Sequence, residues 1–165
     1  MKILGLLGSE NKNGAGIGLL ARALKATKAD TEIVYLSEMP SVEEMHRKIL
    51  SCDGIIIATP VHWFNVSVHV KKFIDEVLWR FSCKPYEIEG IPVGIIATCN
   101  EDGANQAISQ IVMPLNHCGF YVPPFGTLIH NLSTPSHGED GWQDDAEYIG
   151  EQIALYAREE LAKDN

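Results

Sequence analysis

The chain has 165 residues, 45% of them apolar and 21% charged, a balance that suits one buried core over residues 1–165 and excludes a disordered or fibrous chain. Thirteen basic against 22 acidic residues leave a formal charge of -9, whose mean field repels nucleic acid and anionic membrane surfaces. No stretch approaches the roughly 20 apolar residues that span a bilayer, and Cys52, Cys83, Cys99 and Cys118 include no CxxC pair, so neither a zinc site nor a disulfide framework is indicated and reduced thiols in a cytoplasm are expected.

The opening run Met1-Lys2-Ile3-Leu4-Gly5-Leu6-Leu7 stops at Gly8 without the long apolar region of a signal peptide, and predicts a first strand from Lys2 to Leu7. Ile17, Leu20, Ala21 and Leu24 then recur at helical spacing, as a core-facing stripe does. A second strand is expected from Glu32 to Leu36. After Pro40, Ser41-Val42-Glu43-Glu44 reads as a capping box opening a helix with Met45, Ile49 and Leu50 turned inward. The run Gly54 to Thr59 is a third strand, and Val66, Val70, Phe73, Ile74 and Val77 stripe the helix after it.

A fourth strand from Pro92 to Thr98 leads to a helix carrying Ala104, Ala107, Ile108 and Ile111, which Pro114 should kink or end. A fifth strand is expected from Tyr121 to Leu128, then an irregular Gly/Pro/Ser-rich stretch from Asn131 to Gly141, then a last helix from Asp144 to Leu161. Five β-branched apolar runs alternating with helices are the pattern of an α/β parallel sheet covered on both faces. The first, third and fourth runs are the most apolar and belong in its middle.

In such sheets ligands bind beyond the carboxyl ends of the strands, near the point where strand order reverses. Three loops lie there: Gly8 to Gly18, Pro60 to Asn65, and Cys99 to Gly103. In the first, Ser9, Asn11 and Asn13 supply donors, and small residues let backbone N–H groups converge at a helix N-terminus, which suits a phosphate; the same residues also suit a tight turn. The loop has neither G-x-x-x-x-G-K-[ST] nor a G-x-G-x-x-G spacing, and Leu7, Gly8 and Thr59 stand where a phospho-acceptor receiver needs acids. In the second, Trp63 and Phe64 can stack on a flat ring or cover a core or interface.

Gly8-Ser9-x-x-Lys12-Asn13-Gly14 with Leu19-Leu20, then Asp53 through Ser67 and Lys72-Phe73-Ile74-Asp75, resembles the NAD(P)H-dependent FMN reductases and multimeric flavodoxins, a family that includes iron–sulfur flavoproteins. The resemblance covers about Met1 to Thr98. It implies a three-layer, doubly wound, flavodoxin-like sheet of strand order 2-1-3-4-5. It also implies that Ser9, Asn11, Lys12, Asn13, Gly14, Ala15 and Gly16 hold the FMN phosphate, and that Pro60, Val61, His62, Trp63, Phe64 and Asn65 line the isoalloxazine ring. The loop Thr98-Cys99-Asn100-Glu101-Asp102-Gly103 occupies the position of the family's turn over the ring's other side, with Thr98, Cys99, Asn100 and Gly103 as its implied cofactor contacts.

The chain lacks the basic residue common in the family near Glu10 or Asn11 and the hydroxyl often found at Gly16, so either Lys12 supplies the charge or the backbone donors of the helix terminus bind the phosphate without side-chain help. Where iron–sulfur members carry a cysteine cluster, it has Ser37-Glu38-Met39-Pro40-Ser41, and no cluster is expected. His117, His130 and His137 are too scattered for metal ligation, and Glu139, Asp140, Asp144 and Asp145 read as a solvated run. The resemblance implies hydride transfer from NAD(P)H to FMN and on to a quinone, flavin or other small-molecule acceptor, with no side-chain nucleophile and with a homodimer or homotetramer completing the site. An electron-carrying flavodoxin, or a binding module that has lost FMN, are the alternatives.

Overall fold

The computed structural model describes residues 1–83, 87–134 and 141–163, with side chains in the last stretch from 144 onward. His137, Glu139 and Asp140 lie outside the described residues, as does most of the predicted irregular stretch. Five parallel strands, β1 (Lys2–Leu7), β2 (Asp30–Tyr35), β3 (Gly54–His62), β4 (Val93–Cys99) and β5 (Thr127–Asn131), stand in the order β2-β1-β3-β4-β5. The three most apolar runs are the three central strands, as predicted. Helices α1 (Ala15–Ala26), α2 (Val42–Leu50), α4 (Ala104–His117) and α5 (Gly141–Lys163) alternate with them. Between β3 and β4 runs α3, built from an α-helical Val68–Phe73, a wide π-turn Ile74–Leu78 and a last turn Trp79–Ser82. Among the described residues no helix is long and apolar enough to cross a membrane.

Alternation along each strand assigns side chains to two layers. Leu4, Leu6, Ile55, Ile57, Val93 and Ile95 pack with Met45, Val70, Phe73 and Ile111 of α2, α3 and α4. Ile3, Leu7, Ile56, Ala58 and Ile96 pack with Leu19, Leu20 and Leu24 of α1 and Ile149 and Ile153 of α5. A one-residue slip of any central strand would exchange the two sets, and each fully buried Leu or Ile is worth about 1.5–3 kcal/mol, so the register is held from both faces.

Local signals hold at the helix starts. Ser41 Oγ accepts a hydrogen bond from the Glu44 N–H, and Ser67 Oγ does the same for Val70. Several predicted details change. Ala21 and Leu50 are exposed, and Ala23 and His46 take the buried positions. In α2 the inward face rotates because His46 stacks on Phe81, with centroids 4.5 Å apart, and its Nε2 lies 2.8 Å from Glu87 Oε2. Pro114 does not end α4 at once. It sits in the last turn, costs the single bond to the Gln110 carbonyl, and the helix continues to His117.

The fifth strand is Thr127–Asn131 rather than 121–128. The chain does touch β4's edge earlier, where the Val93 N–H donates to Tyr121 O and the Ile95 N–H to Gly126 O. Between those two points it arches away, because Pro123 and Pro124 have no N–H to offer a ladder and Phe125 takes a positive φ of 60°. The last helix begins at Gly141, three residues before its predicted start.

Candidate functional site

The three loops predicted to carry ligand chemistry leave β1, β3 and β4, adjacent strands of the sheet, at their carboxyl ends. Gly8 ends β1 with its N–H donating to Ala58 O at 2.7 Å, and a Cβ there would lie 2.4 Å from Val70 Cγ2, so the closeness of α3 requires glycine.

Beyond Gly8 the chain makes two successive side-chain turns. The Asn11 N–H donates to Ser9 Oγ at 3.1 Å, and the Asn13 N–H to Asn11 Oδ1 at 3.0 Å. Each bond uses an acceptor of the side chain and leaves its donor, the Ser9 hydroxyl and the Asn11 amide NH2, to point elsewhere. Helix α1 then starts at Gly14 with no side-chain cap and no acidic residue in its first turn. Its first N–H groups therefore carry the helix's partial positive charge without an internal counterion.

The charged residues of this loop turn away from it. Glu10 Oε1 lies 3.0 Å from His69 Nε2 on α3. Lys12 Nζ is 2.5 Å from Glu38 Oε1 and 4.8 Å from the centroid of the Tyr35 ring. Lys12 is thus committed to the β2 side of the sheet, and the donors left on the loop are neutral.

After Thr59, β3 continues as a two-residue hairpin in which Val61 pairs with Val66 and His62 with Asn65. Trp63 and Phe64 are its turn residues, both at positive φ, 50° and 62°. That is the backbone of a type I′ turn, which favours Asn-Gly and costs about 1–3 kcal/mol for each bulky residue forced into it. The turn holds because Phe64 rests on α4's start: a Cβ on Gly103 would lie 2.7 Å from Phe64 Cα, and Gly103 itself has φ +91°. Only glycine meets both demands at once. Trp63 is 93% exposed and Phe64 53%.

The loop after β4 is pinned from both sides. The Asn131 amide donates to Glu101 O at 2.7 Å, the Leu132 N–H to Cys99 O at 2.7 Å, and the Gly103 N–H to Asp102 Oδ1 at 2.6 Å. The hairpin and this loop face each other across an open cleft of about 390 Å3 lined by Val61, Trp63, Phe64, Asn100, Glu101 and Asp102.

Of the sequence-predicted site residues, Val61, Trp63, Phe64 and Asn100 meet at this cleft. Pro60 is half-buried at the end of β3, and His62 and Asn65 close the hairpin with exposed side chains. Thr98 and Cys99 are buried strand residues. Cys99 packs with Ala97 and Ala104, and burial, with Asp102 nearby, pushes its thiol above the ordinary range. Sequence reading placed Glu101 and Asp102 in the loop over the ring without singling them out, and missed Asn131 as their brace. The first two carried a signal, since they fill the loop between Asn100 and Gly103; Asn131 carried none.

The family model of NADPH-dependent FMN reductases matches residues 1–133. An iron–sulfur flavoprotein of Archaeoglobus fulgidus is 29% identical over an alignment covering 47% of this chain and 46% of that protein. The chain thus spans about half the length of this curated relative. A flavone reductase superposes with a TM-score of 0.78 at 18% identity, over 96% of this chain and 63% of the other. A flavodoxin, WrbA-like protein from Agrobacterium tumefaciens gives 0.77 at 15% identity, over 96% and 98%. At these identities the structures share the fold.

Proposed function

The chain belongs to the NADPH-dependent FMN reductase family, and on that premise we propose that it is an FMN-dependent oxidoreductase, a single domain over 1–165 that takes hydride from NAD(P)H and passes electrons to a small-molecule acceptor such as a quinone or flavin. The observation that carries this reading is the uncapped, acid-free N-terminus of α1 at the end of β1, in the same layer of loops as the aromatic cleft between β3 and β4. One end suits a phosphate and the other a flat ring, which is the polarity of FMN.

On this reading the Ser9 hydroxyl, the Asn11 and Asn13 amides and the backbone N–H groups of Gly14, Ala15 and Gly16 bind the phosphate, without Lys12. Pro60 to Asn65 and the loop from Thr98 to Gly103 bound the ring. FMN, when bound, supplies the capacity to accept a hydride and release two electrons. The protein's contribution is position: the Phe64–Gly103 contact fixes the cleft's width, Asn131 fixes the loop opposite, and Trp63 offers an exposed aromatic face at the rim. Overall, NAD(P)H, a proton and a quinone become NAD(P)+ and a quinol, and no side chain has to act as nucleophile.

We propose a homodimer or homotetramer, supported by exposed Trp63, Phe64 and Trp79, and a cytoplasmic setting, supported by free Cys52, Cys83, Cys99 and Cys118. The test is the visible spectrum of the purified protein after addition of FMN, followed by anaerobic NADH or NADPH. Bound flavin that bleaches meets the expectation. Bound flavin that stays oxidised indicates an electron carrier, and no binding refutes the reading.

A further inference from the structure

The cleft of about 390 Å3 is asymmetric in chemistry. One wall is Val61, Trp63 and Phe64; the other is Asn100, Glu101 and Asp102, and none of these six lining residues is cationic. Basic groups of the first loop and of α3 are engaged elsewhere: Lys12 with Glu38, His69 with Glu10, Lys71 with Asp75, Lys72 with Glu76. With the flavin ring bounded by these two loops, a planar acceptor that meets it at the open side of the cleft meets the aromatic rim and two carboxylates.

We propose that Glu101 and Asp102 set the charge selectivity of the acceptor site, favouring planar aromatic acceptors that are cationic over those that are anionic. This rests on the flavin reading above and names the substrate class of that same site. Both residues are exposed loop positions held by backbone contacts, Glu101 through its carbonyl to Asn131 and Asp102 through its carboxylate to the Gly103 N–H. The Asp102 carboxylate is thus held at the cleft, Glu101 is placed there by its backbone, and none of the described residues lining the cleft is a cation. Tryptophan and phenylalanine faces add attraction for a cationic ring, because the aromatic quadrupole presents its negative face. The same arrangement repels a sulfonated or phenolate acceptor.

The size of the effect follows from Coulomb's law at a wet cleft. One carboxylate a few ångströms from a singly charged ring changes its binding by about threefold at low salt, in opposite senses for the two signs of charge. Removing one carboxylate therefore changes the cation-to-anion ratio about tenfold.

The test compares two planar two-electron acceptors, methylene blue as cation and dichlorophenolindophenol as anion at neutral pH. Methylene blue takes the equivalent of one hydride to give its neutral leuco form, while dichlorophenolindophenol takes a hydride and a proton; NAD(P)H becomes NAD(P)+ in both. The ratio of their kcat/KM values is measured for the FMN-loaded protein and for Glu101→Gln and Asp102→Asn, each normalised to the unsubstituted protein so that intrinsic reactivity cancels. Asn at 102 keeps an oxygen to accept from Gly103.

The expected result is about a tenfold fall in the ratio for each substitution at low salt, reduced in high salt, with Glu101→Asp restoring most of the preference. An unchanged ratio in both variants, with FMN still bound and bleached by NAD(P)H, overturns the charge-selectivity proposal and leaves the flavin reading standing. Failure of the unsubstituted protein to bind FMN, or to be bleached, overturns both.

Discussion

Two glycines in helices respond to the same substitution with opposite signs. Gly18 in α1 is exposed and has nothing within 4 Å of the position a Cβ would take. Gly150 in α5 is buried, and its Cβ would lie 1.9 Å from the carbonyl oxygen of Ala23, 2.8 Å from its carbonyl carbon and 3.1 Å from its Cα. Alanine gains roughly 0.5–1 kcal/mol over glycine in a helix interior. At Gly18 that gain is all there is, so Gly18→Ala stabilises by about that amount. At Gly150 the obstacle is backbone, which no rotamer change can clear, so α1 and α5 must separate by more than about 1 Å before the contact becomes tolerable. That separation loosens Leu19, Leu20, Ala146, Ile149 and Ile153 in the layer between them, and overpacking of this kind costs typically 1–3 kcal/mol or more.

With the intrinsic gain subtracted, Gly150→Ala is expected to lose about 2 kcal/mol, or about 4–8 °C in Tm for a chain of this length. Thermal and urea unfolding followed by circular dichroism give both numbers. A Gly150→Ala protein as stable as the parent would refute the close α1–α5 crossing on which the argument depends.

Replacing Trp63 by Asn relieves a positive φ at an almost fully exposed residue, so the variant should gain about 1 kcal/mol in stability while binding FMN more weakly, read by urea unfolding and by fluorescence titration. Ala15→Glu places a carboxylate in the first turn of α1, where the structure has none; it should raise Tm slightly and weaken FMN binding at least about tenfold, through repulsion of the phosphate. Hydrogen bonding to Lys48, then to Lys2, holds the Glu32 carboxyl below the ordinary glutamate range. A lowered folded-state pKa stabilises above the unfolded value and is lost as pH falls through the folded one. Glu32→Gln should therefore cost less than about 1 kcal/mol at neutral pH, since the pair is partly solvated, and the difference should begin to shrink only below the ordinary glutamate range and be lost as pH falls through the carboxyl's own lowered value. In native protein a thiol reagent at neutral pH should react quickly with exposed Cys83 alone; burial pushes Cys52 up to about 12 and also raises Cys99 and Cys118, and all four cysteines should react after unfolding.

The first four strands of the sheet, their central order and the capped start of α2 were legible in the sequence, because hydrophobic period, β-branching and the Ser41 cap act within a few residues. The loops were legible too, since each lies at the end of a readable strand. What α1 buries was less so. Ala21 lies about 200° around the helix from Ala23, and although Leu19 and Leu20 place Ala23 on their own stripe, it is the backbone of α5 at Gly150, more than 120 residues away in sequence, that packs against it. The commitment of Lys12 to Glu38 and Tyr35 likewise depends on β2 lying beside β1.

The sequence by itself determined the first four strands, the helices and which loops leave the ends of the buried strands, because those properties come from local backbone preference and from the period of apolar residues. Tertiary structure alone decided that Trp63 and Phe64 would be held at positive φ against Gly103, and that Glu101 and Asp102 would face them across a cleft. Those contacts join residues some 40 positions apart, and they exist only because β3 and β4 are neighbours whose ends bring the two loops together.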